Sequence, residues 1–265
     1  MPVTTLGEAA RAVLQTADPQ GKRRAARALA RAWRRNELAH RCDVPMPDRP
    51  AWPDRPELLA PAQMPRRRKG GSDRGRIAML HALAHIEFVA IDLAVDLVGR
   101  FGHLFPRGFV DDWIGVAADE AMHFALLDRR LRALGSHYGA LPAHAGLWEA
   151  AEATADDALA RLAIVPMVLE ARGLDVTPAT VTRFRGGGDE ASARILERIY
   201  KDEIRHVGAG TRWFGWLCDE RGFPAAETWQ CLVKTRFRGE LKPPFNDSAR
   251  RDAGLTQEYY AVIAS

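Results

Sequence analysis

The chain has 265 residues, of which 47% are hydrophobic and 27% charged, so it can bury a sizeable core and is not a disordered polymer. Its three cysteines, Cys42, Cys218 and Cys231, form no CxxC pair. This excludes a disulfide framework and a thiolate zinc site and points to a reduced, cytoplasmic setting. No signal-peptide pattern opens the chain, and no apolar run is expected to approach the roughly 20 residues of a membrane span. The net charge of +4 is uneven, because residues 1–70 hold 15 of the 38 Lys and Arg but 7 of the 34 Asp and Glu. A basic arm on a mildly acidic body fits an anionic partner such as RNA; the blander reading is a solvated basic helix with Ala, Leu and Trp inward.

In chain order, apolar residues recurring at three and four predict helices over 5–16 and 20–38. Seven prolines within 43–69 forbid helix there and predict an extended arm or linker, closed by Gly70 and Gly71. Ser72 or Asp73 then caps a helix over about 73–100, stopped by Gly102 and Pro106. A second helix runs over about 108–134 and stops at Gly135. A third starts at Trp148 or Asp156 and is expected to end near Arg172 and Gly173, with Pro166 opening or kinking it. Asp189 caps a fourth helix that ends at Gly222, and two short helices follow over 224–239 and 247–264. No segment alternates in the way a sheet demands. The expected organisation is a basic N-terminal arm (1–70), a helical bundle (71–222) and a C-terminal extension (223–265).

Two of these helices carry the same motif: Asp119-Glu120-Ala121-Met122-His123 and Asp202-Glu203-Ile204-Arg205-His206. Glu and His three apart lie on one helix face and can bind a common ion. The first helix carries Glu87 in a very apolar stretch, and the third carries Glu170 after another. Glu87 to Glu120 is 33 residues, as is Glu170 to Glu203, and the two pairs are offset by 83. Such a separation suits two antiparallel helices joined by a short loop. With 15 Glu and 8 His, Glu-x-x-His is expected about 0.5 times by chance. A third instance, Glu37 to His40, lacks the preceding Asp and reads as incidental. A buried Glu87 needs a partner, because an unpaired carboxylate is costly in an apolar setting.

Four carboxylates and two imidazoles, one Glu from each of two helices and Glu-x-x-His from each of two others, match the ligand set of a dinuclear carboxylate site. Such hard, mixed O and N donors suit iron or manganese. Asp119 and Asp202 stand one position off the ligand face and are expected to orient a ligand imidazole from outside the ligand set. Tyr200 lies one turn before Glu203 and is expected beside the site. His81 and His85 sit off the Glu87 stripe and read as packing or hydrogen-bonding residues; Asp92 and Asp96 are likewise off it. Trp213, Phe214 and Trp216 read as core.

At these motifs the chain resembles the ferritin-like superfamily of diiron carboxylate proteins. Through VPMVLEARGLDVTP, IYKDEIRHVGAGTRWF and LKPPFNDSARRDAG it resembles more closely a ferritin-like bacterial family of unknown function, over about residues 70–255. More distantly it is similar to the methylthio-isopentenyl-adenosine tRNA hydroxylases. The resemblance implies an all-α, ferritin-like four-helix bundle with additional N- and C-terminal helices. It implies two iron ions, or manganese, with Glu120 and Glu203 bridging, Glu87 and Glu170 terminal, and His123 and His206 on one ion each. Arg205 in the second motif against Met122 in the first makes the halves unequal. The implied activity is oxidation or hydroxylation of an organic substrate with O2 and an external electron donor, since no flavin or NAD fingerprint is present. The alternatives are an iron-binding or ferroxidase protein without organic substrate, and an RNA-binding module carrying a metal site. A monomer or small homo-oligomer is expected rather than a cage, with a small molecule or RNA as substrate and no membrane partner.

Overall fold

Ser72 turns the chain into its first long helix: its hydroxyl accepts from the Gly75 N–H, the bond an N-cap supplies to an otherwise orphaned donor. The computed structural model describes residues 4–60, 63–64, 72–144 and 146–264. Pro61, Pro65, Gly70 and Gly71, part of the expected arm and its end, lie outside them. The fold is all-α, with no strand among the described residues and two isolated β-bridges. The chain divides into two compact units, residues 1–149 and 150–265.

The first unit is built on α3 (Asp73–Phe101) and α4 (Arg107–Ala133). A 3-10 turn and Pro106 join them, and α4 folds back along α3. Two shorter helices, α1 (Leu6–Leu14) and α2 (Pro19–Arg34), pack on this pair. Thr5 and Glu8 form a reciprocal capping box on α1, and Asp18 caps α2 ahead of Pro19. The Pro-rich stretch lies on α3: the Trp52 indole donates to Asp92 at 2.8 Å and Arg100 donates to the Pro47 carbonyl at 3.1 Å.

One sequence expectation about α3 needs correcting. Over Asp73–Leu104 the helix is long and apolar enough to cross a membrane, with a mean hydropathy of 1.6 in its best window. That window is 67% buried inside the protein, and the helix carries the buried Asp92 and Asp96 along its length, so the core accounts for its apolar character.

The second unit starts within the short α5 (Gly146–Glu152), which the division crosses. There α6 (Ala158–Ile164) passes into a π-helical segment, Val165–Glu170, and on into α7 (Ala171–Gly186). The expectation that this helix ends near Gly173 is wrong: it continues for three more turns through Pro178. Pro178 has no N–H for the Leu174 carbonyl, and Asn246, far along the chain, supplies the donor instead at 3.1 Å. Pro166 falls in the π segment, where it opens the ladder as expected, and the Trp229 indole donates to the nearby Ala163 carbonyl at 3.1 Å.

α8 (Glu190–Arg221) is the partner of α7. Asp189 caps its start, and Gly222 ends it at φ 68°, a left-handed conformation that glycine adopts without cost. α8 passes so close to the π segment that a Cβ on Gly210 would sit 2.4 Å from Pro166 Cβ. The C-terminal helices are shorter than expected: α9 (Ala225–Arg236), α10 (Asp247–Asp252) and α11 (Gln257–Tyr260), with Gly254 at φ 75° breaking the last stretch in two.

Candidate metal centre

In the first unit, α3 presents Glu87 and α4 presents Glu120 and His123, all three buried at 4%, 1% and 0% exposure. His123 Nδ1 lies 3.2 Å from Glu87 Oε2 and 3.3 Å from Glu120 Oε2. Ligand atoms of the three residues fall within 4.8 Å of one another. One ring nitrogen facing two carboxylates satisfies at most one of them with a proton. Burial, and after it the charge of Glu120, push the Glu87 carboxyl well above the ordinary carboxylate range, against the pull of His123. A cation among the three would supply the positive charge that this donor set lacks, and the donors are those of a hard-metal site.

The sequence neighbours of these ligands join an aromatic cluster. Phe88 and Phe124, each next in sequence to a ligand, pack on Tyr138 with ring centroids 5.3 Å and 5.0 Å away. The tyrosine is fixed by His85. His85 Nε2 lies 3.2 Å from the His144 carbonyl, which can only accept, so Nε2 carries the proton. His85 Nδ1 then accepts from the Tyr138 hydroxyl at 3.0 Å. His81 Nε2 accepts from the Gly139 and Leu141 backbone N–H groups at 2.9 Å and 3.4 Å. Both histidines are therefore hydrogen-bonding residues that tie the 137–144 connection to α3. Burial pulls each down to about 4. Tyr138 was not singled out in the sequence, where a lone tyrosine in a connection carries no signal.

Farther along α3, Asp92 is fully buried and paired with Lys22 of α2, whose Nζ lies 2.6 Å and 2.7 Å from its two oxygens. Lys22 Nζ also donates to the Ala51 carbonyl at 3.0 Å and sits 5.1 Å from the Phe88 ring centroid. Burial lifts the Asp92 carboxyl up to about 6 and pulls the Lys22 ammonium down, each against the attraction of the other. Lys22 was read with the solvated basic face of its helix. The overlooked signal was Asp92 inside an apolar run, which demands a partner.

In the second unit, Glu170 closes the π segment and is half-buried. On α8, His206 is buried and its Nδ1 lies 3.7 Å from Glu203 Oε1, one turn back on the same face. Asp202 is buried, and its two oxygens accept from Arg198 at 2.7 Å and from Arg205. Asp202 thus anchors two arginines of its own helix. Asp119, its counterpart on α4, is half-buried. The Tyr200 hydroxyl accepts from Asn246 Nδ2 at 3.0 Å. Asn246 therefore ties α7 to α8 about one turn from Glu170 and Glu203, and Arg250 adds a bidentate pair to Asp175 at 2.8 Å and 2.7 Å.

Helices bearing a buried Glu, Glu and His cluster define a protein with a candidate metal-binding site. The chain belongs to the family described as "Protein of unknown function (DUF455)", which matches residues 15–261. It is 42% identical over 220 residues to a protein of Haemophilus influenzae titled "Uncharacterized protein", covering 81% of this chain and 76% of that one. No solved structure matches.

Proposed function

We propose that the chain is a dinuclear metal oxidoreductase. In this reading Glu87, Glu120, His123, Glu170, Glu203 and His206 hold two iron ions, with manganese as the alternative. Reduced by an external donor, such a pair supplies O2 activation for the oxidation or hydroxylation of an organic substrate. The observation that carries the reading is His123 Nδ1 set between two buried carboxylates. The identical 33-residue spacing of the two glutamate pairs supports extending it to Glu170, Glu203 and His206. Glu87 and Glu120 bring negative charge into an apolar core, which favours cation binding over an empty state. The half-buried Glu170 and Glu203 leave the second triad the more open one, where a substrate would approach.

Elemental analysis of protein made in iron-replete cells tests this directly. The expected result is close to two irons per chain, with Glu120→Ala and His206→Ala each losing metal while helical dichroism is kept. Full metal retention in both variants overturns the six-ligand set. Iron oxidation with no turnover of any organic substrate would move the function to iron handling.

A further inference from the structure

The helix α2 breaks the electrostatic rules of an isolated helix. Its sixteen residues, PQGKRRAARALARAWR, hold Lys22, Arg23, Arg24, Arg27, Arg31 and Arg34 and no acidic residue. Lys22 is accounted for by Asp92. Arg23 and Arg24 stand in the first turns, at the positive end of the helix dipole, where cations are disfavoured. Arg23, Arg27, Arg31 and Arg35 repeat at four-residue spacing, so neighbours on one face repel.

The outward face is not neutralised from outside the helix. Arg24 and Arg35 approach Asp18 and Glu37 only to 3.8 Å, with all four side chains exposed. Arg27, Arg31 and Arg34 are exposed and have no acidic partner among the described residues. Arg24, Arg27, Arg31 and Arg34 form one row about 15 Å long at 1.5 Å rise per residue. Beyond the helix end, Arg107 of α4 lies 4.2 Å over the Trp33 ring, donates to Asn36 at 2.8 Å and approaches Asp111 to 3.8 Å, so it is not part of the row.

We propose that this face of α2 binds the phosphate backbone of an RNA strand. Its cations are all arginine, whose planar fork pairs two-pronged with phosphate oxygens. A polyanion relieves the repulsion between neighbouring arginines, which solvent and salt only screen. An anionic membrane fits less well. The large apolar residues of α2, Leu29 and Trp33, are buried in the protein, so no large apolar side chain of this helix remains to enter lipid. The proposal does not depend on the metal centre.

The test is fluorescence anisotropy with the full-length protein and a labelled RNA of about 20 nucleotides, from roughly 50 to 200 mM salt. Wild type is expected to bind with a steep salt dependence. Arg27→Gln/Arg31→Gln/Arg34→Gln is expected to bind at least about tenfold more weakly, with its log–log salt slope reduced by about 2. An equal loss of charge at exposed sites of the second unit, Lys234→Gln/Arg238→Gln/Arg251→Gln, is expected to change binding less than about twofold. Dichroism checks that both variants keep their helices. No salt-dependent binding by wild type, equal losses in the two variants, or binding to phosphatidylserine vesicles but not to RNA each overturns the proposal.

Discussion

Asn246 Nδ2 donates to the Leu174 carbonyl at 3.1 Å, the carbonyl that Pro178 deprives of its helical donor. The same amide reaches the Tyr200 hydroxyl, and the Asn246 N–H reaches Asp175 Oδ1 at 2.9 Å. A single side chain thus repairs one helix and fastens it to the next.

Asn246→Ala is expected to cost about 1–3 kcal/mol, since it leaves buried acceptors unmade. Arg250→Met is expected to cost more, about 3 kcal/mol, because buried Asp175 loses its bidentate partner and keeps only the Arg172 cation, 3.5 Å away. Urea unfolding of each variant measures both; a loss below about 0.5 kcal/mol in Arg250→Met would contradict the assignment.

Glu87→Gln is expected to act with opposite signs in the two states of the site. The raised carboxyl of Glu87 makes its charge a liability in metal-free protein, a contribution that grows as pH rises through the folded-state pKa. The neutral isostere removes it, so chelator-treated Glu87→Gln melts higher than wild type at pH 8, by order 1 kcal/mol. The same variant binds metal more weakly. Melting curves with and without iron separate the two effects.

Lys22→Met is expected to lose about 3–5 kcal/mol by stranding Asp92 in the core. Adding Asp92→Leu should restore part of that loss, since it removes the stranded charge but leaves the Trp52 indole N–H without its acceptor. A double variant no more stable than Lys22→Met would show that the pair has contacts beyond its charges.

His81 gives a pH signature. Its folded-state value of about 4 lies below the ordinary histidine value, so its contribution is fully present above pH 6.5. As pH falls from there towards 4, the unfolded chain takes up the proton first and stability drops by about 1.4 kcal/mol per pH unit. Glutamine at this position keeps an acceptor for Gly139 and Leu141 but cannot titrate. His81→Gln should therefore flatten the acid limb of stability measured by denaturant titration.

Much of this was legible from punctuation. Ser72, Pro106, Asp189 and Gly222 mark helix ends by local chemistry that tertiary structure does not overturn, and the helices stop there. The first triad was legible too, because Glu87, Glu120 and His123 are spaced to meet across a helical hairpin. The stretch RGLDVTPATVTRF read as a connection because Gly173 was expected to end the helix, yet the helix runs on through Pro178, whose missing N–H Asn246 replaces. The compensating donor lies 72 residues from the carbonyl it serves, and no local window contains it. Lys22 was hidden for the related reason that its partner is 70 residues away, and five arginines on the same helix disguise it as surface.

The π segment at Val165–Glu170 has a consequence for change in this chain. An extra residue in one turn advances everything after it by about 100° around the helix axis. The residues from Ala158 to Ile164 and those after Glu170 are therefore out of phase with one another, and the wide turn absorbs the difference. Deleting one residue there would leave a regular helix of almost unchanged length with Glu170 close to its present heading. The same deletion elsewhere in α7 would leave Glu170 where it is and rotate only the residues downstream of the cut.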